Sequence, residues 1–243
     1  MYNFLNQLLI NVSEAGYEAI VYDAFNTASV FVAVIFGLWY GKKRDIKFLK
    51  RLILLSVNII SLLGIMMVEL WIETGFQNFD KKEIAVAFAY SPVIAFVFSK
   101  ILRVPFKKTA DLMAFTPLII HAVARGGCIF AGCCYGFVSD FGIYNMRTGQ
   151  EHFPVQLLEV FLVIIIITAL LLIAKSQKYN THGILMPYML IMYSVARFLT
   201  EFLHDNNKIW MNFSSVSFHA LLMFVVGVIL LCIIKRQHKC SME

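Results

Sequence analysis

The stretch at residues 121–136, HAVARGGCIFAGCCYG, concentrates the residue types that could do chemistry. It contains one arginine, three cysteines and four glycines, namely Arg125; Cys128, Cys133 and Cys134; and Gly126, Gly127, Gly132 and Gly136. The arginine can bind an anion, and the cysteines are soft nucleophiles. Glycines weaken a continuous helix and let backbone N–H groups approach a ligand closely. We therefore predict a broken or re-entrant segment that lines a polar cavity, with tight helix packing and inert buried cysteines as the alternative.

Two later apolar segments also carry polar side chains at helical spacing. In HFPVQLLE, Gln156 and Glu159 are three residues apart and share one helix face. In YSVARFLTEFLH, Tyr193, Arg197 and Glu201 follow one another at intervals of four residues. The Arg197 and Glu201 pair either anchors its helix in a bundle or holds the arginine ready for a phosphate, and these two interpretations stay open.

The composition places these residues in a membrane. Of 243 residues, 60% are hydrophobic and only 15% are charged, which excludes an ordinary soluble domain. Five cysteines are too few for a disulfide framework in a chain of this size, so their close spacing favours a site. Glu14 and Glu18 precede the first apolar run without any Lys or Arg, so no signal peptide is expected. We predict an all-α polytopic membrane protein, with residues 1–243 forming a single membrane domain.

Seven apolar runs are long enough to cross a bilayer, at residues 20–41, 48–72, 84–102, 110–130, 155–174, 183–204 and 215–234. The first, third and fifth connections and the tail hold six, four, two and three basic residues, fifteen of the 21 in the chain. Because basic residues favour the cytoplasmic side, the amino terminus is predicted outside and the carboxyl terminus in the cytoplasm. The first twenty residues form either an amphipathic helix on the outer surface or an ordered leader.

Two arginines and a carboxylate within an apolar bundle predict a site for a lipid head group. The planar guanidinium of arginine suits the oxygens of a phosphate. On the predicted orientation, a polar cavity that opens sideways to lipid would present a phospholipid to a second substrate at the outer surface.

Three segments together resemble the prolipoprotein diacylglyceryl transferase family. RGGCIFAGCCYG is similar to the family's glycine-rich signature, HFPVQLLE to a second segment and YSVARFLTEFLH to a third, in the family's order. The matching positions are Arg125, Gly127, Gly132 and Gly136; Pro154, Gln156, Leu157 and Glu159; and Tyr193, Arg197, Glu201 and Phe202.

The resemblance implies a multi-pass protein of the bacterial cell membrane that transfers a diacylglyceryl group from phosphatidylglycerol. The acceptor would be the cysteine thiol of an exported lipoprotein precursor, with no cofactor, no metal and no nucleic acid involved. Arg125 would hold the phosphate, because negative charge builds there as a thiolate attacks a glyceryl carbon. The residues that would bind substrate are Cys128, Gly127, Gly132, Gln156, Glu159, Tyr193, Arg197 and Glu201.

The chain also departs from the family pattern. Cys128 and Cys133 stand where the family has asparagine and glutamate, and the family's histidine is missing near residues 89–92. His152 stands where the family has an arginine and is predicted as the replacement base, so Arg125, His152 and Cys133 are the predicted catalytic residues. A membrane thiol–disulfide relay that uses the cysteines is the second hypothesis. A cysteine and histidine metal site ranks lowest because its ligand spacing is irregular.

Overall fold

The computed structural model describes residues 2–14, 16–74, 84–176, 183–204 and 215–240. These ranges contain eight helices and one two-stranded sheet. In chain order the elements are α1 (Tyr2–Glu14), α2 (Glu18–Lys43), α3 (Phe48–Thr74), α4 (Ile84–Ile101), α5 (Phe106–Phe130), β1 (Val138–Asn145), β2 (Gln150–His152), α6 (Val155–Lys175), α7 (Leu185–Glu201) and α8 (Ser215–Cys240).

Helices α2 to α8 lie at the seven apolar ranges predicted from the sequence. Five of them, α2, α3, α5, α6 and α8, contain stretches long and apolar enough to cross a membrane, and α4 contributes a shorter apolar stretch, Ala87–Ile101. The chain is therefore a predominantly helical, polytopic membrane protein. The count of seven spans, the orientation of the termini and the single membrane domain stay predictions.

Helix α5 is the element on which the other helices pack, since it contacts α2, α3, α4, α6 and α7. Most of its side chains are buried, including the polar side chains of Asp111, His121 and Arg125. A polar side chain on a membrane helix faces protein rather than lipid because lipid offers it no hydrogen-bond partner. The central position of α5 therefore follows from the polar residues that it carries.

The prediction of a broken or re-entrant segment is wrong at the end of α5, which stays helical through Gly126, Gly127 and Cys128. A Cβ atom on Gly126 would lie 2.5 Å from the ring of Phe25, and one on Gly127 would lie 3.2 Å from the carbonyl oxygen of Tyr22. Both neighbours belong to α2. These glycines therefore let two helices approach closely, as the packing alternative predicted.

The connection between α5 and α6 forms a β-hairpin, which the all-α prediction did not include. Tyr144 pairs with Glu151 and Asn145 with Gln150, and the strands turn at Gly149, whose φ is +70°. Helix α1 packs on β1, where the backbone N–H of Tyr144 donates to Oδ1 of Asn6 over 3.1 Å. The first residues are therefore helical, and their place on the outer membrane surface stays a prediction.

Candidate active site

Glu159 of α6 lies at the centre of a buried cluster of charged side chains. Its Oε2 is 2.5 Å from Nε of Arg125 on α5, and its Oε1 is 2.8 Å from Nη1 of Arg197 on α7. All three residues are at most 9% exposed. Because each of three helices contributes one charged residue to the same point, the carboxylate fixes their relative rotation.

Arg197 is held on two sides by carboxylates. Its Nη2 is 3.0 Å from Oε2 of Glu201, one helical turn further along α7, while its Nη1 binds Glu159. Thr200 donates to Oε1 of Glu159 over 3.3 Å and lies 3.5 Å from Nη1 of Arg197. Both terminal nitrogens of Arg197 are thus already paired with carboxylates. The geometry therefore favours the anchoring interpretation of the Arg197 and Glu201 pair.

Arg125 differs from Arg197 in how much of its guanidinium is used. It forms an ion pair with Glu159 through Nε, and the described part of the chain supplies no hydrogen bond to its side chain, which is 11% exposed. Since the ion pair uses Nε, its two terminal nitrogens are able to bind two oxygens of one phosphate. This arrangement suits the anion-binding role that the sequence predicted for Arg125.

Two histidines complete the cluster around Glu159, although the predicted site residues did not include them. Nε2 of His204 is 3.1 Å from Oε1 of Glu159, and Nε2 of His121 is 3.8 Å from Oε2. Nδ1 of His204 has no hydrogen-bond partner among the described residues. The signal for both was helical spacing, since His121 is four residues from Arg125 and His204 is four residues from Thr200.

Tyr193, a predicted substrate-binding residue, forms part of an aromatic wall beside this cluster. Its ring stacks on Phe88 of α4 with 4.0 Å between the ring centroids, and its hydroxyl is 3.4 Å from Nδ1 of His121. Tyr193 is 2% exposed and Phe88 is fully buried. Aromatic packing therefore occupies the region of α4 where the sequence lacks the family's histidine.

The three cysteines converge where α5 ends. Cys128 is in the last turn of the helix, and the backbone N–H of Cys133 donates to its carbonyl oxygen over 3.1 Å. The sulfur atoms of Cys128, Cys133 and Cys134 all lie within 4.8 Å of one another. Cys134 has a φ of +57°, a left-handed conformation that costs a residue other than glycine about 1–3 kcal/mol.

The two thiols beyond the helix differ in acidity. Hydrogen bonds from Cys128 and Cys133 hold the pKa of the Cys134 thiol well below its usual value, and the nearby Arg125 acts in the same direction. Hydrogen bonds with Cys128 and Cys134 raise the pKa of the Cys133 thiol. The three thiols therefore share their protons as one group, and the catalytic role predicted for Cys133 stays a prediction.

Gln156 and Asn145 hold the loop that carries the cysteines. Nε2 of Gln156 donates to the carbonyl oxygen of Cys133 over 2.9 Å, and Nδ2 of Asn145 donates to that of Gly132 over 3.2 Å. Gly132 has a φ of +60°, which suits glycine. A small cleft borders this loop, and its lining includes Gly132, Asn145, His152 and Gln156.

His152, the predicted base, lies in β2 with both ring nitrogens in hydrogen bonds. Nδ1 is 2.7 Å from the carbonyl oxygen of Gly136, and Nε2 is 2.8 Å from the hydroxyl of Thr148. Because a carbonyl only accepts, Nδ1 carries a proton, while Nε2 shares a hydrogen bond with the Thr148 hydroxyl. His152 therefore links the hairpin to the loop through hydrogen bonds, and its role as a base stays a prediction.

Comparison with known proteins agrees with the resemblance. Residues 85–233 match the sequence model of a family described as prolipoprotein diacylglyceryl transferase. The chain is 24% identical over 155 residues to phosphatidylglycerol--prolipoprotein diacylglyceryl transferase 1 of Clostridium perfringens (strain 13 / Type A), covering 60% of this chain and 59% of that protein. It is 28% identical over 134 residues to the phosphatidylglycerol--prolipoprotein diacylglyceryl transferase of Clostridium tetani (strain Massachusetts / E88), covering 50% and 54%. The chain thus spans little more than half the length of these relatives.

Proposed function

We propose, because this chain belongs to the prolipoprotein diacylglyceryl transferase family, that it transfers a diacylglyceryl group from phosphatidylglycerol or a related phospholipid to a cysteine thiol. The acceptor is an exported lipoprotein precursor or a similar cysteine-containing peptide. Two of the matched relatives carry this activity in their names. Within the chain, the observation that carries the proposal is the guanidinium of Arg125, buried among helices with two terminal nitrogens left for a phosphate.

The proposal extends to how the chain sits in the membrane. Seven helices cross the plasma membrane of a bacterium, with the amino terminus outside and the carboxyl terminus in the cytoplasm. The distribution of basic residues supports this orientation, since fifteen of the 21 lie in alternate connections and the tail. The carboxyl end of α5 and the hairpin then face the outside, where an exported acceptor and the outer lipid leaflet meet.

Arg125 has the central electrostatic role in the reaction. The acceptor sulfur forms a bond to the glyceryl carbon while that carbon's bond to the phosphate oxygen breaks, and the electron pair leaves with glycerol phosphate. Two parallel N–H donors on Arg125 stabilise the charge that builds on the phosphate. Glu159 holds Nε of the same guanidinium. It therefore orients the two terminal nitrogens of Arg125 without binding them.

The proton of the acceptor thiol needs a destination. Both ring nitrogens of His152 are already in hydrogen bonds, so the contacts assign no base. The remaining predicted site residues have supporting contacts that fit the proposal. Gln156 holds the cysteine loop, Arg197 and Glu201 hold α7 against Glu159, and Gly127 packs against α2.

The test is to reconstitute the purified chain into phosphatidylglycerol vesicles with a cysteine-containing peptide. Release of glycerol phosphate and a diacylglyceryl mass on the peptide are the expected results. Arg125→Lys should lose at least about a hundredfold in rate, nearly as much as Arg125→Ala, because an ammonium does not reproduce the fork. Arg236→Lys, at an exposed position on α8, is the matched control and should keep full activity. Full activity in Arg125→Ala would refute the assignment.

A membrane thiol–disulfide relay is the second candidate, because three sulfur atoms lie within 4.8 Å of one another. In such a relay, two thiols of this chain would form a disulfide while a disulfide of the partner is reduced to two thiols. The mass of this chain would fall by two hydrogen atoms for each disulfide formed. Incubation of the reduced chain with a disulfide-bonded peptide, followed by intact-protein mass spectrometry, separates the candidates. Disulfide exchange without any phosphatidylglycerol turnover would favour the relay.

A further inference from the structure

We infer that Cys128, Cys133 and Cys134 bind a zinc ion with one coordination position left open for the acceptor thiol. The identity of that fourth ligand rests on the proposed function, whereas the zinc site itself does not. The three sulfurs already lie within 4.8 Å of one another. Tetrahedral zinc at Zn–S distances of about 2.3 Å needs sulfurs about 3.8 Å apart, a change that small rotations of the cysteine side chains supply.

The backbone around the cysteines is shaped for this convergence. Gly132 and Cys134 both adopt left-handed conformations, which fold the chain back towards the end of α5. Such a position ordinarily favours glycine, and the cysteine there is explained when its thiolate is needed as a ligand. Gln156 and Asn145 hold the carbonyl oxygens of the loop from α6 and β1, as groups around metal ligands commonly do.

The number of ligands is what points to an open position. Within the part of the chain that the structure describes, the group of possible metal ligands consists of these three cysteines, without a histidine or a carboxylate. Structural zinc sites close all four positions with protein ligands, whereas catalytic sites leave one for water or substrate. The spacing of the cysteines along the chain is irregular, so the sequence did not favour a metal site. The loop, rather than a helix, brings the three sulfurs together.

Charge and position connect the group to the proposed reaction. Three thiolates and one zinc ion carry a net charge of −1, opposite in sign to the guanidinium of Arg125. Arg125 is also three residues before Cys128, so the same turn of α5 holds the phosphate site and the first ligand. A zinc-bound thiol is deprotonated outright, which removes the need for a separate base.

The transfer balances without any change of oxidation state. On binding zinc, the acceptor thiol releases its proton to water and becomes a thiolate ligand. A lone pair on that sulfur forms the bond to the glyceryl carbon, and the pair from the broken carbon–oxygen bond leaves with glycerol phosphate at Arg125. The product is a neutral thioether, a weaker ligand than a thiolate, so it leaves and the three-cysteine zinc site is restored.

The first experiment measures metal rather than turnover. The chain, purified under reducing conditions and incubated with Zn²⁺, should retain one zinc ion per chain after desalting, as measured by elemental mass spectrometry. Cys133→Ser and Cys134→Ser should each lower the zinc content at least tenfold, with helix content by circular dichroism unchanged. Cys232→Ser, at an exposed cysteine on α8, is the control and should keep the metal. Zinc contents equal to wild type in both loop variants would overturn the site.

The second experiment tests the open position with Co²⁺ in place of zinc. Three thiolates should produce a sulfur-to-cobalt charge-transfer band, and a cysteine-containing peptide should increase it by about one third, whereas the serine peptide should not. A band that the cysteine peptide leaves unchanged would overturn the open position. Metal and peptide binding without transfer would refute the proposed function alone, and full transfer by chelator-stripped protein would refute the zinc step alone.

Discussion

Replacing Glu159 by glutamine is the sharpest test of the charged cluster. Glutamine keeps the shape of the side chain but removes the charge that neutralises Arg125 and Arg197. Arg125 would then have no carboxylate partner among the described residues, whereas Arg197 would keep Glu201. Breaking a buried ion pair by removing one partner costs about 3–5 kcal/mol, and the 3% exposure of Glu159 places it in this class.

Glu201→Gln is the comparison that makes the magnitude informative. It removes the carboxylate charge next to Nη2 of Arg197, while Arg197 retains Glu159. Because Arg197 keeps a carboxylate partner and no uncompensated charge remains at it, this variant should lose less stability than Glu159→Gln. Glu151→Gln, at an exposed position on β2, is the control and should change stability by less than about 0.5 kcal/mol.

The assay is reversible unfolding of the purified chain in mixed detergent micelles, followed by far-ultraviolet circular dichroism. The expected order of destabilisation is Glu159→Gln, then Glu201→Gln, then Glu151→Gln. A double variant that also replaces Arg125 by glutamine should cost less than the sum of its two single variants, because no uncompensated charge then remains at that pair. Equal stability of Glu159→Gln and Glu151→Gln, or additive effects in the double variant, would refute the reasoning.

Three further predictions concern packing, the hairpin and orientation. Gly127→Ala should destabilise the bundle by about 1–3 kcal/mol because its Cβ meets the Tyr22 backbone, whereas Gly64→Ala, where a Cβ meets nothing within 4 Å, should stabilise it slightly in the same unfolding assay. His152→Asn should retain transfer, since both ring nitrogens already have partners; a loss of about a hundredfold or more would assign it the base. In intact cells, Glu151→Cys should add labelling by a membrane-impermeant thiol reagent and Arg236→Cys should not, and the reverse pattern would overturn the orientation.

The helical frame was readable from the sequence because hydropathy is a local property. All seven apolar ranges contain helices, and a run such as residues 155–174 needs no tertiary information to be recognised. The polar residues within those runs were also informative. Arg125, Glu159 and Arg197 had to face protein because lipid solvates none of them, so their burial was predictable although their partners were not.

Only the tertiary structure decided which groups meet. Arg197 had a carboxylate four residues away in Glu201, yet its Nη1 binds Glu159, 38 residues earlier in the chain. Gly126 and Gly127 could break a helix or let two helices approach, and the presence of α2 beside them selected the second outcome. The three cysteine sulfurs converge because of two left-handed residues in a loop. Composition and periodicity report how each segment partitions between lipid and protein, whereas contacts between distant segments depend on how the helices rotate and pack against one another.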